Sequence, residues 1–200
     1  MLGGDCHPAT PIGINLPNAE WIREQYGSKS VTIENITQAY FIDSMNNGML
    51  EEFAASEEEI ERTRKYGYLA GNLHTDLHEC LGHGSGKMKD GVKAEELKSY
   101  YSTIEETRAD LFALYYIMDE KMIELGLIPS LDAAKAEFDS YLRNGLITQL
   151  ARIEWGKDIE ESHMRNRHLI SSWVLEKGKE EKVAELFSKD GRTFVSIRNY

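Results

Sequence analysis

The sequence predicts a mainly α-helical fold with little strand content, on three observations. Glu, Lys, Leu and Ala are abundant and prolines number only four, a composition that favours helix. Two Ser-x-x-Glu patterns, Ser56 with Glu59 and Ser102 with Glu105, stand ahead of amphipathic runs, as capping boxes do. The β-branched stretches are short, at residues 30–36 and in ArgThrPheValSerIle near the end. At 200 residues, 41% hydrophobic and 28% charged, the chain is long enough to bury a core as one unit.

Taken in order, residues 1–18 are rich in Gly, Pro and Asn and should be extended or looping. Pro17 and Asn18 offer a helix start for AEWIREQYG, which Gly27 closes, and Ser30 to Ile36 reads as a short strand. The helix capped at Ser56 runs through Tyr68, Leu69, Leu73 and Leu77 to His83, and Gly-rich residues 82–86 end it. Residues 87–99 read as a polar surface loop. The helix capped at Ser102 runs through Leu111, Leu114, Tyr115 and Met118 towards Gly126. Pro129 and Ser130 start another, with Leu131, Ala134, Phe138, Tyr141 and Leu142 at helical spacing. Gly156 separates it from a helix holding His163, Arg167, Ile170 and Trp173, which Gly178 closes. The last stretch mixes helix and strand signals.

The formal net charge is −11 with no Lys/Arg-rich run, which argues against nucleic-acid or anionic-membrane partners. No apolar run approaches the ~18 residues that span a bilayer. Cys6 and Cys80 form no CxxC pair, which points to a reducing, cytoplasmic setting. The opening MLGGDCHPATPIG lacks the basic and apolar regions of a signal peptide. It reads as mid-protein sequence behind a Met, so further chain upstream is expected.

The chemistry concentrates in His78-Glu79-Cys80-Leu81-Gly82-His83. Histidines four apart on a helix clamp a metal from one face. Here they are five apart, which on an α-helix turns the second roughly 140° from the first. Both meet one ion only if the helix bulges, and Gly82, lacking a Cβ, is placed to allow a π-type distortion. Glu79 then adjoins a ligand and is positioned as a general base. A third ligand should be a carboxylate on a following helix, and Glu105-Glu106-Thr107-Arg108-Ala109-Asp110 offers it. Acids in a first helical turn also serve the helix dipole, and that rival explanation stands beside this one.

Other signals are set aside. His74, four before His78, has no Glu beside it and reads as a packed or surface histidine. Cys80 reads as buried and inert. Cys6-His7 lacks ligand spacing, and GlyHisGlySerGlyLys lacks both the spacing and the preceding strand of a phosphate loop. Trp155 and Trp173 read as core, and His168 as structural.

HECLGHGSGK followed by EETRAD resembles the paired HExxGH and EExxAD-type signature of the dipeptidyl peptidase III family, in which the five-residue histidine spacing is distinctive. GINLPN at residues 13–18 resembles that family's substrate-binding strand, and SHMRNR at 162–167 its AHMxxR stretch, so the likeness runs from about residue 3 to residue 168. It implies a zincin-like helical catalytic lobe over residues 1–200, holding one zinc ion on His78, His83 and Glu106. Glu79 activates water, and Glu105 and Asp110 orient the ligand histidines, a role expected behind any metal ligand. Gly13, Asn15 and Asn18 lie along the peptide substrate, His163 stabilises the oxyanion, and Arg167 contacts the substrate's carbonyl or carboxylate end. The implied activity is release of dipeptides from the N-terminus of oligopeptides. Family members carry a further β-rich lobe, which supplies a tyrosine and an acid that are not identifiable here, so a fragment is expected. A non-catalytic zinc-binding helical module and a zinc endopeptidase stay open as alternatives, and cobalt or manganese also suits an N/N/O site.

Overall fold

The computed structural model describes residues 12–17, 20–86 and 89–200. Its elements in order are β1 (Gly13–Leu16), α1 (Glu20–Tyr26), β2 (Lys29–Thr32), α2 (Glu34–Asn46), α3 (Met49–Phe53) and α4 (Glu57–Leu77). A π-helical segment (His78–His83) continues α4, and a 3-10 segment (Ala94–Tyr100) leads into α5 (Tyr101–Ile117). There follow α6 (Lys121–Glu124), α7 (Leu131–Arg143) with a second π segment (Asn144–Thr148), α8 (Ser162–Lys177), β3 (Ala184–Lys189) and β4 (Arg192–Ile197). Among the described residues the strands form only two antiparallel pairs, β1 with β2 and β3 with β4. The mainly helical expectation therefore holds.

Helix α4 is the spine. Ser56 accepts a hydrogen bond from the Glu59 amide at 3.2 Å, as the sequence predicts. Glu59 does not close the box on Ser56: its Oε2 accepts from the Ala55 amide at 2.8 Å, and its Oε1 takes the buried Arg143 guanidinium. That pair ties the start of α4 to the end of α7. Further along, Ala70, Leu73 and Leu77 recur at three and four residues and face Ala113 and Ile117 of α5, Met122, Ile128, and Ala133 and Ala134 of α7. Burying a leucine contributes about 1.5–3 kcal/mol, and the alanines, all fully buried, let the helix axes approach closely. A second cluster joins Leu114, Tyr141, Leu142 and Ile170 to Ala184 and Val195 of the terminal hairpin. That hairpin turns at Asp190-Gly191, both at positive φ (52° and 75°), the preferred chemistry for a tight two-residue turn.

Several expectations are corrected. The strand predicted over residues 30–36 stops at Thr32, because Ile33 already caps α2. Helices α2 and α3 were not foreseen; α2 buries no residue and so shows no apolar stripe. The Ser102 box does not form: α5 starts at Tyr101 without a side-chain cap, and Glu105 is engaged by His83 and Arg108 instead. The helix predicted to reach Gly126 breaks after Ile117 and resumes as α6. Part of the predicted 87–99 loop is 3-10 helix. Trp155 and Trp173 are exposed at 104% and 58% rather than core, Trp155 because it sits in the turn beside Gly156. Cys80 is likewise an exposed free thiol. No helix among the described residues is long and apolar enough to cross a membrane.

Candidate metal centre

The π segment spans His78–His83. The amide of Gly84 donates to the carbonyl of Glu79, five residues back, at 3.1 Å, and this pattern brings side chains five apart onto one face. The distortion predicted from the histidine spacing is therefore present, and it occupies the whole motif rather than a single bulge. Gly82 is needed for packing: a Cβ there would lie 2.6 Å from the Cα of Ala109. Its bare backbone lets the motif press against α5.

Two carboxylates on α5 fix the rings. Asp110 Oδ1 lies 2.6 Å from His78 Nδ1, and Glu105 Oε1 lies 3.0 Å from His83 Nδ1. Carboxylates only accept, so each Nδ1 carries the proton and each Nε2 points forward as a lone pair. Those two Nε2 atoms are 3.0 Å apart. Glu106 Oε2 sits 3.2 Å from the first and 3.4 Å from the second. His163, from the first turn of α8, brings its Nε2 to 3.3 Å from the same oxygen while its Nδ1 meets Glu161 Oε1 at 2.7 Å. His78, Glu106 and His163 also form a set able to hold a metal ion.

Burial works against each charge here, and the partners outweigh it. The imidazoles of His78 and His83 hold Glu106 at about 2, and His83 with Arg108 holds Glu105 at about 2. His74 and His78 keep Asp110 well below the ordinary carboxylate range. Glu105 and Glu106 raise His83 to about 9. Glu79, 8% exposed, goes the other way: burial raises its carboxyl, with His78 and His83 pulling it down less strongly.

The residues fit a cation. Glu106 Oε2 is buried with no hydrogen-bond partner despite three imidazole nitrogens nearby. Facing lone pairs and a carboxylate oxygen at this spacing repel unless a positive charge lies between them. A tetrahedral ion with bonds of about 2.0–2.1 Å holds its ligand atoms about 3.3 Å apart, close to the separations seen.

Strand β1 lies over the motif. A Cβ on Gly13 would come within 2.9 Å of Glu79 Oε1. Asn15 turns its side chain inward, donating to the Glu79 carbonyl at 3.0 Å and to Ser30 Oγ at 2.8 Å. Arg167 is not drawn into the cluster; it donates to Gln149 Oε1 at 3.1 Å and lies over the Tyr141 ring. Asn18 lies outside the described residues. Sequence reasoning passed over His74, Glu137 and Tyr141, which stand behind Asp110. The four-residue step from His74 to His78 was the available signal.

The family model described as Peptidase family M49 matches residues 6–98, a span that includes the π segment. Dipeptidyl peptidase 3 of Mus musculus is 26% identical over 94% of the chain, and that of Nematostella vectensis 24% identical over 94%. A solved structure, DPP III from Caldithrix abyssi, superposes with a TM-score of 0.65 at 26% identity, again over 94% of the chain. The chain spans 30% of the length of the two curated relatives and 33% of the solved one. The match to the family model ends before Glu105, Glu106, Asp110 and His163, which the fold itself brings to the motif.

Proposed function

We propose that the chain is the metal-binding catalytic lobe of a zinc dipeptidyl peptidase, with His78, His83 and Glu106 as ligands and the rest of the cleft contributed by sequence outside it. The observation that carries this reading is the convergence of two Nδ1-anchored imidazoles on an unpartnered carboxylate oxygen. Bound zinc supplies a Lewis acid and brings the pKa of an attacking water to about 7. Glu79, adjoining the ligand His78, takes a proton from that water and returns it to the leaving amine. Its burial and raised pKa suit a group that must both accept and release a proton. His163, exposed on one side with its ring held at Nδ1 by Glu161, is placed to stabilise the oxyanion that develops on the scissile carbonyl. β1 has β2 on one side only among the described residues, so its other edge is suited to an extended peptide backbone. The dipeptide register follows from the relatives named dipeptidyl peptidase 3.

The short span relative to those relatives favours a second reading, a zinc-binding module without hydrolysis of its own. Glu79→Gln separates the two. Zinc stoichiometry should stay at one per chain while cleavage of dipeptidyl arylamides falls by at least ~100-fold. Undiminished cleavage would sink the mechanism. Stoichiometric zinc with no cleavage, even when the upstream region is restored, would favour the second reading.

A further inference from the structure

We propose that His74 is a positioning residue for the metal ligand His78, acting through Asp110; this rests on the zinc-centre reading above. His74 lies one turn before His78 on α4, and its side chain is 12% exposed. Its Nε2 is 3.1 Å from Asp110 Oδ1, the same oxygen that His78 Nδ1 meets at 2.6 Å. Its Nδ1 is 3.1 Å from Glu137 Oε1 on α7. The other Asp110 oxygen accepts from the Tyr141 hydroxyl at 2.7 Å, and the Tyr141 ring stacks on His74 with centroids 5.7 Å apart. Asp110 is thereby held from α4 on one oxygen and from α7 on the other.

His78 presents its Nε2 lone pair only while Nδ1 keeps a proton, and that requires Asp110 to stay ionised and aimed. Asp110 is only 4% exposed, and an ionised carboxylate so buried needs compensating charge as well as hydrogen bonds. His74, with Asp110 at Nε2 and the Glu137 carboxylate 3.1 Å from Nδ1, is placed to supply that charge. A side chain that merely filled space between α4, α5 and α7 would not have drawn Glu137, 12% exposed, inward to meet it. His74, His78 and Asp110 do not form a second metal site, although their donor atoms cluster. The 2.6 Å contact between His78 and Asp110 is a hydrogen-bond separation, shorter than the roughly 3.3 Å between ligands of one ion.

The test measures zinc affinity by chelator competition for the unaltered chain, His74→Gln, Asp110→Asn and the double variant. His74→Gln should weaken zinc binding about 10-fold and shift the visible spectrum of the cobalt-loaded protein. Added to Asp110→Asn it should cost nothing further, because its route runs through that carboxylate. Unchanged affinity in His74→Gln, or the same loss with and without Asp110, overturns the inference. If His74→Gln fails to fold by circular dichroism, Glu137→Gln takes its place, and a several-fold loss that disappears in the Asp110→Asn background is then expected. An unaltered chain that binds no zinc overturns the zinc-centre reading and this inference together. Zinc binding indifferent to residue 74 overturns this inference alone.

Discussion

Glu106 Oε2 and the two Nε2 atoms of His78 and His83 lie within 3.4 Å of one another, and each is kept there by groups behind it. The support is unequal. Asp110 is buried and holds the His78 ring through a 2.6 Å contact, whereas Glu105 shares its carboxylate between His83 and Arg108. Outer partners of metal-bound histidines are worth about 10–100-fold in affinity. Asp110→Asn should therefore fall towards the upper end of that range and Glu105→Gln towards the lower, measured by zinc competition. An order reversed from this would mean that Arg108, not Asp110, governs the ring positions. The residues proposed as ligands were legible because chemistry constrains their types and spacing. His74 was not, since a histidine one turn before another on a helix has the same pattern whether it faces solvent, core or a carboxylate.

At the scale of elements, the π segment is the step that turns an unfavourable spacing into a shared face. Its requirement is local: Gly82 contacts α5 so closely that a methyl group would meet the Cα, Cβ and carbonyl oxygen of Ala109 within 3.0 Å. Gly82→Ala should destabilise the fold by about 1–3 kcal/mol through overpacking. The same displacement should also weaken zinc binding, since α5 carries Glu105, Glu106 and Asp110. Thermal unfolding and zinc titration of the one variant check both; lost stability with unaltered zinc affinity would show that the α5 contact does not set the ligand geometry. The distortion could be inferred from sequence because two side chains had to reach one point. The start of α5 could not, because Glu105 fits either a capping box or a histidine contact, and only the tertiary arrangement decides between them. α2 stayed invisible for a simpler reason: with no buried residue, it lacks the periodicity that marks a helix.

At the scale of the molecule, the π segment that continues α4, then α5 and α8, deliver one part each of the centre: the histidines and Glu79, the acids, and His163. The shared alanine-lined core of α4, α5 and α7 keeps the first two in register. The chain spans 30% of the length of the mouse relative and 33% of the solved structure that match 94% of it. The residues proposed as ligands all lie within the chain. Zinc-edge X-ray absorption on the loaded chain tests the ligand set directly. The account predicts a shell of nitrogen and oxygen near 2.0–2.1 Å, with outer scattering from two imidazoles. Sulfur scattering near 2.3 Å, which would implicate Cys80, or the signature of three imidazoles, which would make His163 a ligand, would contradict it.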